Sequence, residues 1–212
     1  MAENTLSTKI AHIVSYAFHP GIMPTLLLAT LYIFTPFLAG FDGYSLNARW
    51  LTLGFIFIYT FLFPLLFTYW LYRKNYINSF KLENRKDRYL PYLITILSSL
   101  VLSYLLFTKN SIFAVSTYYL WLFILVVIVV LIINFWWQIS AHSAGIGGVV
   151  GILFMLRVFF QEPLLTYPLF TSIILAGIII WARLKLNAHT EAQVYIGFLS
   201  GFMVCSIGTL FL

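Results

Sequence analysis

Two histidines in this chain stand where long apolar runs end. His142 follows Ser140 and Ala141 directly after one such run, and His189 lies six residues after Arg183. An imidazole can act as a nucleophile or a general acid, and a guanidinium group can hold an anion through its fork of N–H donors. Burying such groups at a membrane boundary is costly unless they face water, one another or a ligand. The pattern therefore predicts a polar site at the ends of membrane helices.

The composition is that of an integral membrane protein. Of the 212 residues, 62% are hydrophobic and 8% are charged, whereas about 25% of a typical soluble domain is charged. Apolar runs of about 20 residues, long enough to cross a bilayer as a helix, recur along nearly the whole chain. We predict an all-α polytopic transmembrane bundle of six to seven spans, forming a single domain over residues 1–212.

Seven spans are our central prediction: 21–40, 50–72, 89–107, 112–135, 143–160, 167–183 and 190–212. Residues 1–20 are predicted to form an interfacial helix with Ile10, Ile13 and Val14 on its apolar face. It would end at His19-Pro20, with His19 as a capping or interfacial residue. Because consecutive spans alternate in direction, four segments should meet at one face: the N-terminal segment, the loop 73–88, the residues near 140 and the turn 183–189.

The net charge of +6 comes from 12 basic residues and only six acidic ones. No acid lies deep inside an apolar run, which argues against a proton relay or a cation path through the bilayer; the acids are Glu3, Asp42, Glu83, Asp87, Glu162 and Glu191. Most basic residues fall on the face that carries the histidines. The positive-inside rule then places this face in the cytoplasm, and we expect the protein in the inner membrane of a bacterium.

Two spacings link the basic residues and the histidines to anion chemistry. Six residues separate Lys81 from Arg88, and Arg88 falls near the first turn of a predicted helix. A cation there opposes the helix dipole, which makes sense if an anion binds at the same helix end. His189 and Gln193 are one helical turn apart, so the amide oxygen of Gln193 can accept a hydrogen bond from one imidazole nitrogen. Phosphate suits such donors, with one histidine attacking phosphorus and the other protonating the leaving oxygen.

In order and spacing these residues resemble the type 2 phosphatidic acid phosphatases, a family that shares a helical core with the vanadium haloperoxidases. The family shows Lys, six residues, Arg and Pro; then Pro-Ser-Gly-His; then Ser-Arg, five residues, His, three residues and Asp. The residues that match here are Lys81 and Arg88; Ser140, Ala141 and His142; and Arg183, His189 and Gln193. The joint match is more specific than any one of its three parts.

The resemblance implies a metal-independent phosphatase without a cofactor, which works through a phosphohistidine. His189 would be the nucleophile, His142 the general acid, and Gln193 the group that orients His189. The implied phosphate ligands are Lys81, Arg88, Ser140, the backbone amide of Ala141, and Arg183. The partners would be the bilayer and a phosphorylated lipid such as phosphatidic acid, phosphatidylglycerol phosphate, an isoprenyl phosphate or diphosphate, or lipid A phosphate, and no nucleic acid is expected.

The chain departs from the family pattern at five positions. Tyr89 and Ile139 replace prolines, Ala141 replaces a glycine, Ala182 replaces a serine and Gln193 replaces the aspartate. An amide can orient an imidazole but cannot stabilise an imidazolium as a carboxylate does, which predicts a weaker nucleophile.

The alternative function is that of a catalytically weak relative, which only binds or moves a phosphorylated lipid. Members of the family mostly act on the outer or lumenal face, in contrast to the cytoplasmic face that the charge count favours.

The glycine-rich run 145–151 is predicted to serve helix packing. A nucleotide-binding fingerprint would need a flanking parallel strand, for which this chain has no sequence signal. The small residues Ala144, Gly147, Gly148 and Gly151 recur at helical spacing, which favours close approach of a second helix. Cys205 lies in an apolar run and is predicted to be buried.

Two other functions fit the sequence less well. A prenyltransferase would need paired Asp-rich motifs, which the isolated Asp87 does not supply. A small channel would leave the three spaced motifs unexplained.

Overall fold

The computed structural model describes residues 6–41, 45–109 and 114–212, and within these ranges the chain forms helices and no strands. Glu3, Asp42 and part of the segment 108–111, which joins two predicted spans, lie outside the described residues. Short 3₁₀ segments precede or follow several helices, among them Pro20–Ile22, Pro36–Ala39 and Lys86–Arg88. The α-helices of the described ranges are α1 Leu6–Ala17, α2 Met23–Phe34, α3 Leu46–Phe57, α4 Phe63–Arg73, α5 Tyr89–Lys109, α6 Ala114–Asn134, α7 Ala141–Val158, α8 Thr166–Lys185 and α9 Glu191–Thr209.

Six helical segments within the described ranges are long and apolar enough to cross a membrane. A seventh arises if α1 and Pro20–Phe34, whose axes bend by 42°, are counted as one broken span. The predicted all-α bundle with six to seven such helices is therefore confirmed. Helices α3 and α4 form one segment through the π-helical turn Ile58–Leu62. Pro64 explains this turn, because it cannot donate an N–H to the carbonyl of Thr60 one turn before it.

The first predicted span, 21–40, is longer than the helix that forms there. Helix α2 ends at Phe34, and Thr35 leaves the helical conformation with φ −145° and ψ 65°. Pro36 causes this break, because the residue before a proline is pushed away from helical backbone angles. The 12 residues of α2 reach only about 18 Å, too short to cross a bilayer without α1.

The N-terminal segment forms a helix, as predicted, and its interfacial placement stays a prediction. Helix α1 packs against α8 and buries Ala11 and Ser15. Ile10 and Ile13, which the sequence pattern assigns to the apolar face, lie on the outer surface of the bundle. Apolar side chains are stable on that surface when lipid tails cover it, so hydrophobic periodicity alone does not identify the packed face of a peripheral membrane helix.

Helices α7 and α9 form the closest pair at the centre of the bundle. A Cβ added at Gly147 or Gly151 would collide with backbone atoms of α9, and a Cβ at Gly201 would collide with the carbonyl of Ala144. The predicted role of the glycine-rich run in close packing is therefore confirmed, as is the burial of Cys205. Since neither backbone can be displaced cheaply, the ends of α7 and α9 hold fixed positions relative to each other.

Local sequence signals set the helix ends that meet at one end of the bundle. Ser140 caps α7 by accepting the N–H of Ser143, and Thr190 caps α9 in a capping box with Gln193. Helix α8 stops because Asn187 adopts a left-handed conformation, φ 49°, and lets two N–H groups turn back to the last carbonyls. Asparagine tolerates this conformation better than most residues do. These terminations place the predicted site residues on short, ordered connections.

Candidate anion site

The four segments predicted to converge do meet at one end of the bundle. The N–H of Ser140 donates to the backbone carbonyl of Gln193 at 3.2 Å. The loop 73–88 joins them because Arg88 Nη1 donates to the carbonyl of Ile139 at 3.4 Å. The N-terminal segment reaches the same place through Ser15, which contacts residues of both α7 and α8. The site is thus built by residues far apart in the sequence.

Arg88 is buried at the start of α5 and is held by backbone oxygens. Its Nε donates to the carbonyl of Leu82 at 2.8 Å, in addition to the bond with Ile139. Leu82 adopts φ 55°, a left-handed conformation that costs about 1 kcal/mol in a residue with a side chain. The neighbouring Asp87 is also buried and accepts hydrogen bonds from the backbone and the amide of Asn78. This contact pins the loop that presents Arg88.

Arg183 lies in the last turn of α8 with one hydrogen-bonding atom unused. Its Nη1 donates to the hydroxyl of Ser15 at 3.3 Å, whereas its Nε is buried without a partner. Arg183 and Arg88 are close enough to repel each other electrostatically. No carboxylate of the described residues forms a salt bridge with either guanidinium group. Two neighbouring cations without an anionic partner among the described residues are the main electrostatic feature of this site.

Gln193 orients His189 through a shared oxygen. Gln193 Oε1 lies 3.1 Å from His189 Nδ1 and accepts the backbone N–H of Thr190, also at 3.1 Å. Because a backbone N–H can only donate, the amide must present its oxygen, and His189 Nδ1 must then carry the proton. In a neutral imidazole this places the lone pair on Nε2. The predicted contact between His189 and Gln193 is confirmed, although His189 precedes α9 rather than lying inside it.

The surroundings of His189 favour its neutral form. Burial, followed by the charges of Arg88 and Arg183, lowers the pKa of His189 to about 4. Hydrogen bonding to the side chain of Gln193 and to the backbone of Gln138 acts in the opposite direction. At neutral pH the ring is therefore uncharged. An anion bound between the two arginines would cancel part of their effect and raise this pKa.

His189 also borders an open, polar cavity of about 520 Å³. The cavity lies at the end of the bundle and is large enough for several water molecules. The remaining lining residues are Gln138, Leu184, Asn187, Ala188, Thr190, Glu191 and Gln193. Water and small phosphate-sized anions can therefore reach the side of the site that holds His189.

His142 occupies the first turn of α7 and faces the N-terminal segment. Its Nε2 lies 3.1 Å from the backbone carbonyl of Ser15. A carbonyl can only accept, so Nε2 carries a proton in this arrangement. The ring of His19 meets the ring of His142 edge-on, with centroids 5.8 Å apart. His19 also accepts the N–H of Gly21 at 3.2 Å, which confirms its predicted role as a cap.

Two further predicted ligands lie beside the histidines, and one does not. Ser140 is fully buried, and its hydroxyl accepts from both the N–H and the hydroxyl of Ser143. Ala141 is the first residue of α7, where backbone N–H groups lack helical partners. Lys81 is exposed, and no described hydrogen bond joins its side chain to the other candidates. All the predicted site residues except Lys81 therefore lie at the same end of the bundle.

Three residues around this cluster were not predicted from the sequence. Tyr92 lies one turn after Arg88 on α5 and hydrogen-bonds to it, a spacing that could have indicated the contact. Asp87 carries no sequence signal beyond its charge, yet it is buried and accepts hydrogen bonds from Asn78. Ser15 had no detectable signal, because its contacts depend on the packing of α1 against α8.

The donor set of this site suits an anion. Within the described ranges, no three His, Cys, Asp or Glu side chains are gathered as a metal site requires. The charged and polar side chains gathered near one another here are guanidinium, imidazole and hydroxyl groups. Comparison of the chain with known protein families, with curated proteins and with solved structures finds no match.

Proposed function

We propose that this protein is a membrane lipid-phosphate phosphatase that works through a phosphohistidine on His189. The observation that carries the proposal is the pair of arginines without a described acidic partner. Arg88 is buried, and Arg183 keeps a buried Nε unused beside it. Burying a charge costs several kcal/mol even after the protein relaxes, and a second cation nearby adds to that cost. A bound anion with several oxygens removes both penalties, and phosphate fits two guanidinium forks.

The orientation of His189 supports its role as the nucleophile. Its Nε2 lone pair attacks phosphorus, so that an N–P bond forms while the P–O bond to the lipid breaks. His142, as an imidazolium, donates a proton to the departing oxygen, which leaves as the lipid alcohol, and the neutral His142 regains that proton from the water of the second step. Water then attacks the phosphohistidine, and the N–P bond breaks to release phosphate and the neutral imidazole. The polar cavity beside His189 supplies that water.

The substrate class follows from where the site lies. Its residues stand at the ends of membrane-length helices, so a phosphate attached to a lipid tail reaches them from the bilayer surface. A phosphomonoester or a pyrophosphate at the head of such a lipid satisfies the donor set equally well. From the charge count we place this end of the bundle at the cytoplasmic face of a bacterial inner membrane. Labelling of a cysteine at Tyr76, which is exposed in the loop 73–88, by a membrane-impermeant reagent in intact cells tests that placement.

A second candidate function is binding or transport of a phosphorylated lipid without turnover. The specific observation in its favour is Gln193, whose amide supplies orientation but no negative charge to stabilise an imidazolium. The low pKa of His189 points the same way, since the ring gains little from accepting a proton there. Under this alternative, the site binds lipid phosphate with the affinity of a substrate and releases no phosphate.

The test is phosphate release from short-chain phosphatidic acid by the purified protein. We expect turnover that persists with a chelator present and that falls to background in His189→Ala. A transient, acid-labile phosphate on His189, identified by mass spectrometry after rapid quenching, would support the covalent step. Equal phosphate release by wild type and His189→Ala would contradict the phosphatase proposal, and tight binding without release would favour the lipid-binding alternative.

A further inference from the structure

Helix α1 meets the candidate site through Ser15. The backbone carbonyl of Ser15 accepts the Nε2 hydrogen of His142 at 3.1 Å, and its hydroxyl accepts a hydrogen from Arg183 Nη1 at 3.3 Å. These two hydrogens belong to the proposed general acid and to a proposed phosphate ligand. A bound phosphate ester would need both of them, one for a phosphate oxygen and one for the leaving oxygen. Ser15 therefore holds the donors that the substrate requires.

The rest of α1 is weakly embedded in the bundle. Of its 12 residues, only Ala11 and Ser15 are buried. Leu6, Ile13 and Tyr16 are exposed, the first by 74% and the other two by 65% each. A helix with few buried side chains opens at a lower free energy than the helices of the core. Its apolar outer face remains favourable against lipid tails after such a movement.

The connection between α1 and α2 is built as a hinge. Regular helix stops at Ala17 and resumes with a 3₁₀ turn at Pro20, which has no N–H to continue the ladder. The two helical pieces bend by 42° at this point. Beyond the hinge the chain is fixed, because the hydroxyl of Thr60 donates to the carbonyl of Gly21 at 2.9 Å. A Cβ on Gly21 would lie 2.5 Å from the carbonyl oxygen of Thr60, which shows how tightly this side is packed.

We propose that α1 is a gate of the anion site, held closed by Ser15 and opened when a lipid phosphate takes over His142 and Arg183. The buried Arg183 Nε without a partner indicates that the closed arrangement leaves part of the anion site unsatisfied. The gate lies on the side of His142, whereas the polar cavity opens on the side of His189. Lipid and water thus reach the site by different routes. The inference rests on the proposed function, since it assigns the lipid phosphate as the ligand that opens the gate.

The first test measures the position of α1 directly. Spin labels are placed on exposed positions of α1 and α8 by Ile13→Cys and Ile178→Cys, in a chain whose native thiol is removed by Cys205→Ala. We expect a second, different distance population when short-chain phosphatidic acid is added to the protein in lipid nanodiscs. A control pair on α5 and α9, made by Leu97→Cys and Leu199→Cys, should keep one distance throughout.

The second test displaces α1 without touching a donor. Ala11 is completely buried, so Ala11→Phe should push α1 away from α8, whereas Ile13→Phe changes the exposed face of the same helix. The measured quantity is the affinity for inorganic phosphate by titration calorimetry. If α1 is open in about a tenth of the molecules, forcing it open strengthens the apparent affinity about tenfold. The affinity of Ile13→Phe should equal that of the wild type.

The outcomes separate the gate from the phosphatase. If phosphatidic acid binds while the label distances on α1 and α8 stay unchanged, the gate is wrong and the anion site stands. Failure of inorganic phosphate and phosphatidic acid to bind any variant would overturn both proposals. If Ala11→Phe does not yield folded protein, the distance measurement, which keeps Ala11, decides alone.

Discussion

The two histidines of the site lie in different surroundings. His189 is oriented by the capping box of α9 and borders an open polar cavity. His142 is closed off by α1, and its Nε2 is engaged by the carbonyl of Ser15. One ring presents a lone pair and is held neutral, whereas the other presents a hydrogen to an oxygen. The difference suits a nucleophile on one side and a proton donor on the other.

The largest effect is expected from removing the nucleophile. His189→Ala should abolish release of phosphate from every substrate, a loss of at least about 10³-fold, because no covalent intermediate can form. The measurement compares a lipid phosphate with an aryl phosphate, whose leaving group is stable as an anion. Equal losses with both substrates are expected. A variant that kept turning over the aryl phosphate would assign the nucleophilic role to another group.

Removing the proton donor should separate the same two substrates. In His142→Ala, turnover of a lipid phosphate should fall about 10²- to 10⁴-fold, since its alcohol must be protonated as it leaves. Turnover of the aryl phosphate should fall much less. If His142→Ala lost both activities equally, the two histidines would not have the distinct roles that their settings indicate, and His142 would serve binding or structure instead.

A smaller and more specific effect is expected in the pH profile. In the proposed mechanism the neutral form of His189 is the nucleophile, and the pKa of His189 is lowered to about 4 by burial and by the two arginines. With the aryl phosphate, whose leaving group needs no proton from His142, kcat/KM should therefore stay level as pH falls from 7 to 5, and then fall as the ring of His189 takes up a proton near pH 4. Gln193→Glu keeps the shape of the side chain and adds a negative charge that favours the imidazolium. We expect this change to move the acid limb upward by about 1 to 2 pH units.

Glu191→Gln is the matched control for that charge. Glu191 lines the cavity, is exposed, and is two residues from Gln193. Its carboxylate makes no described contact with the His189 ring, so the acid limb should stay near its wild-type position. A downward shift of similar size in Glu191→Gln would mean that the general charge of the cavity controls His189, rather than the group that touches Nδ1.

Sequence patterns predicted the parts of the molecule that depend on local chemistry. Apolar run length gave the bundle and most of its helices, and the one-turn spacing of His189 and Gln193 gave their contact. Three-dimensional packing decided the rest. The buried side of α1 could not be predicted, because lipid and protein both accept apolar side chains. The exposure of Lys81 was also hidden, since the path of the loop depends on the left-handed turn at Leu82 and on the buried contact of Asp87 with Asn78.

The smallest effect on turnover is expected from a change in the packing of α9 against α7. This packing sets the distance between the helix ends that lie beside His142 and His189, so the change should mainly affect stability. A Cβ at Gly197 of α9 would lie 2.7 Å from the carbonyl oxygen of Ser140 at the start of α7. Gly197→Ala must therefore move one helix end, and we expect a loss of about 1 to 3 kcal/mol in the free energy of unfolding. Gly177→Ala on α8 is the control, because a Cβ there meets no atom within 4 Å. It should leave stability unchanged or raise it by about 0.5 to 1 kcal/mol, as alanine favours helix more than glycine does.

Thermal unfolding of both variants in detergent measures the difference, and the loss of turnover in Gly197→Ala should remain below that of His142→Ala. Equal stability of the two variants would show that α7 and α9 can separate without cost, and the fixed placement of the two rings would then need another source.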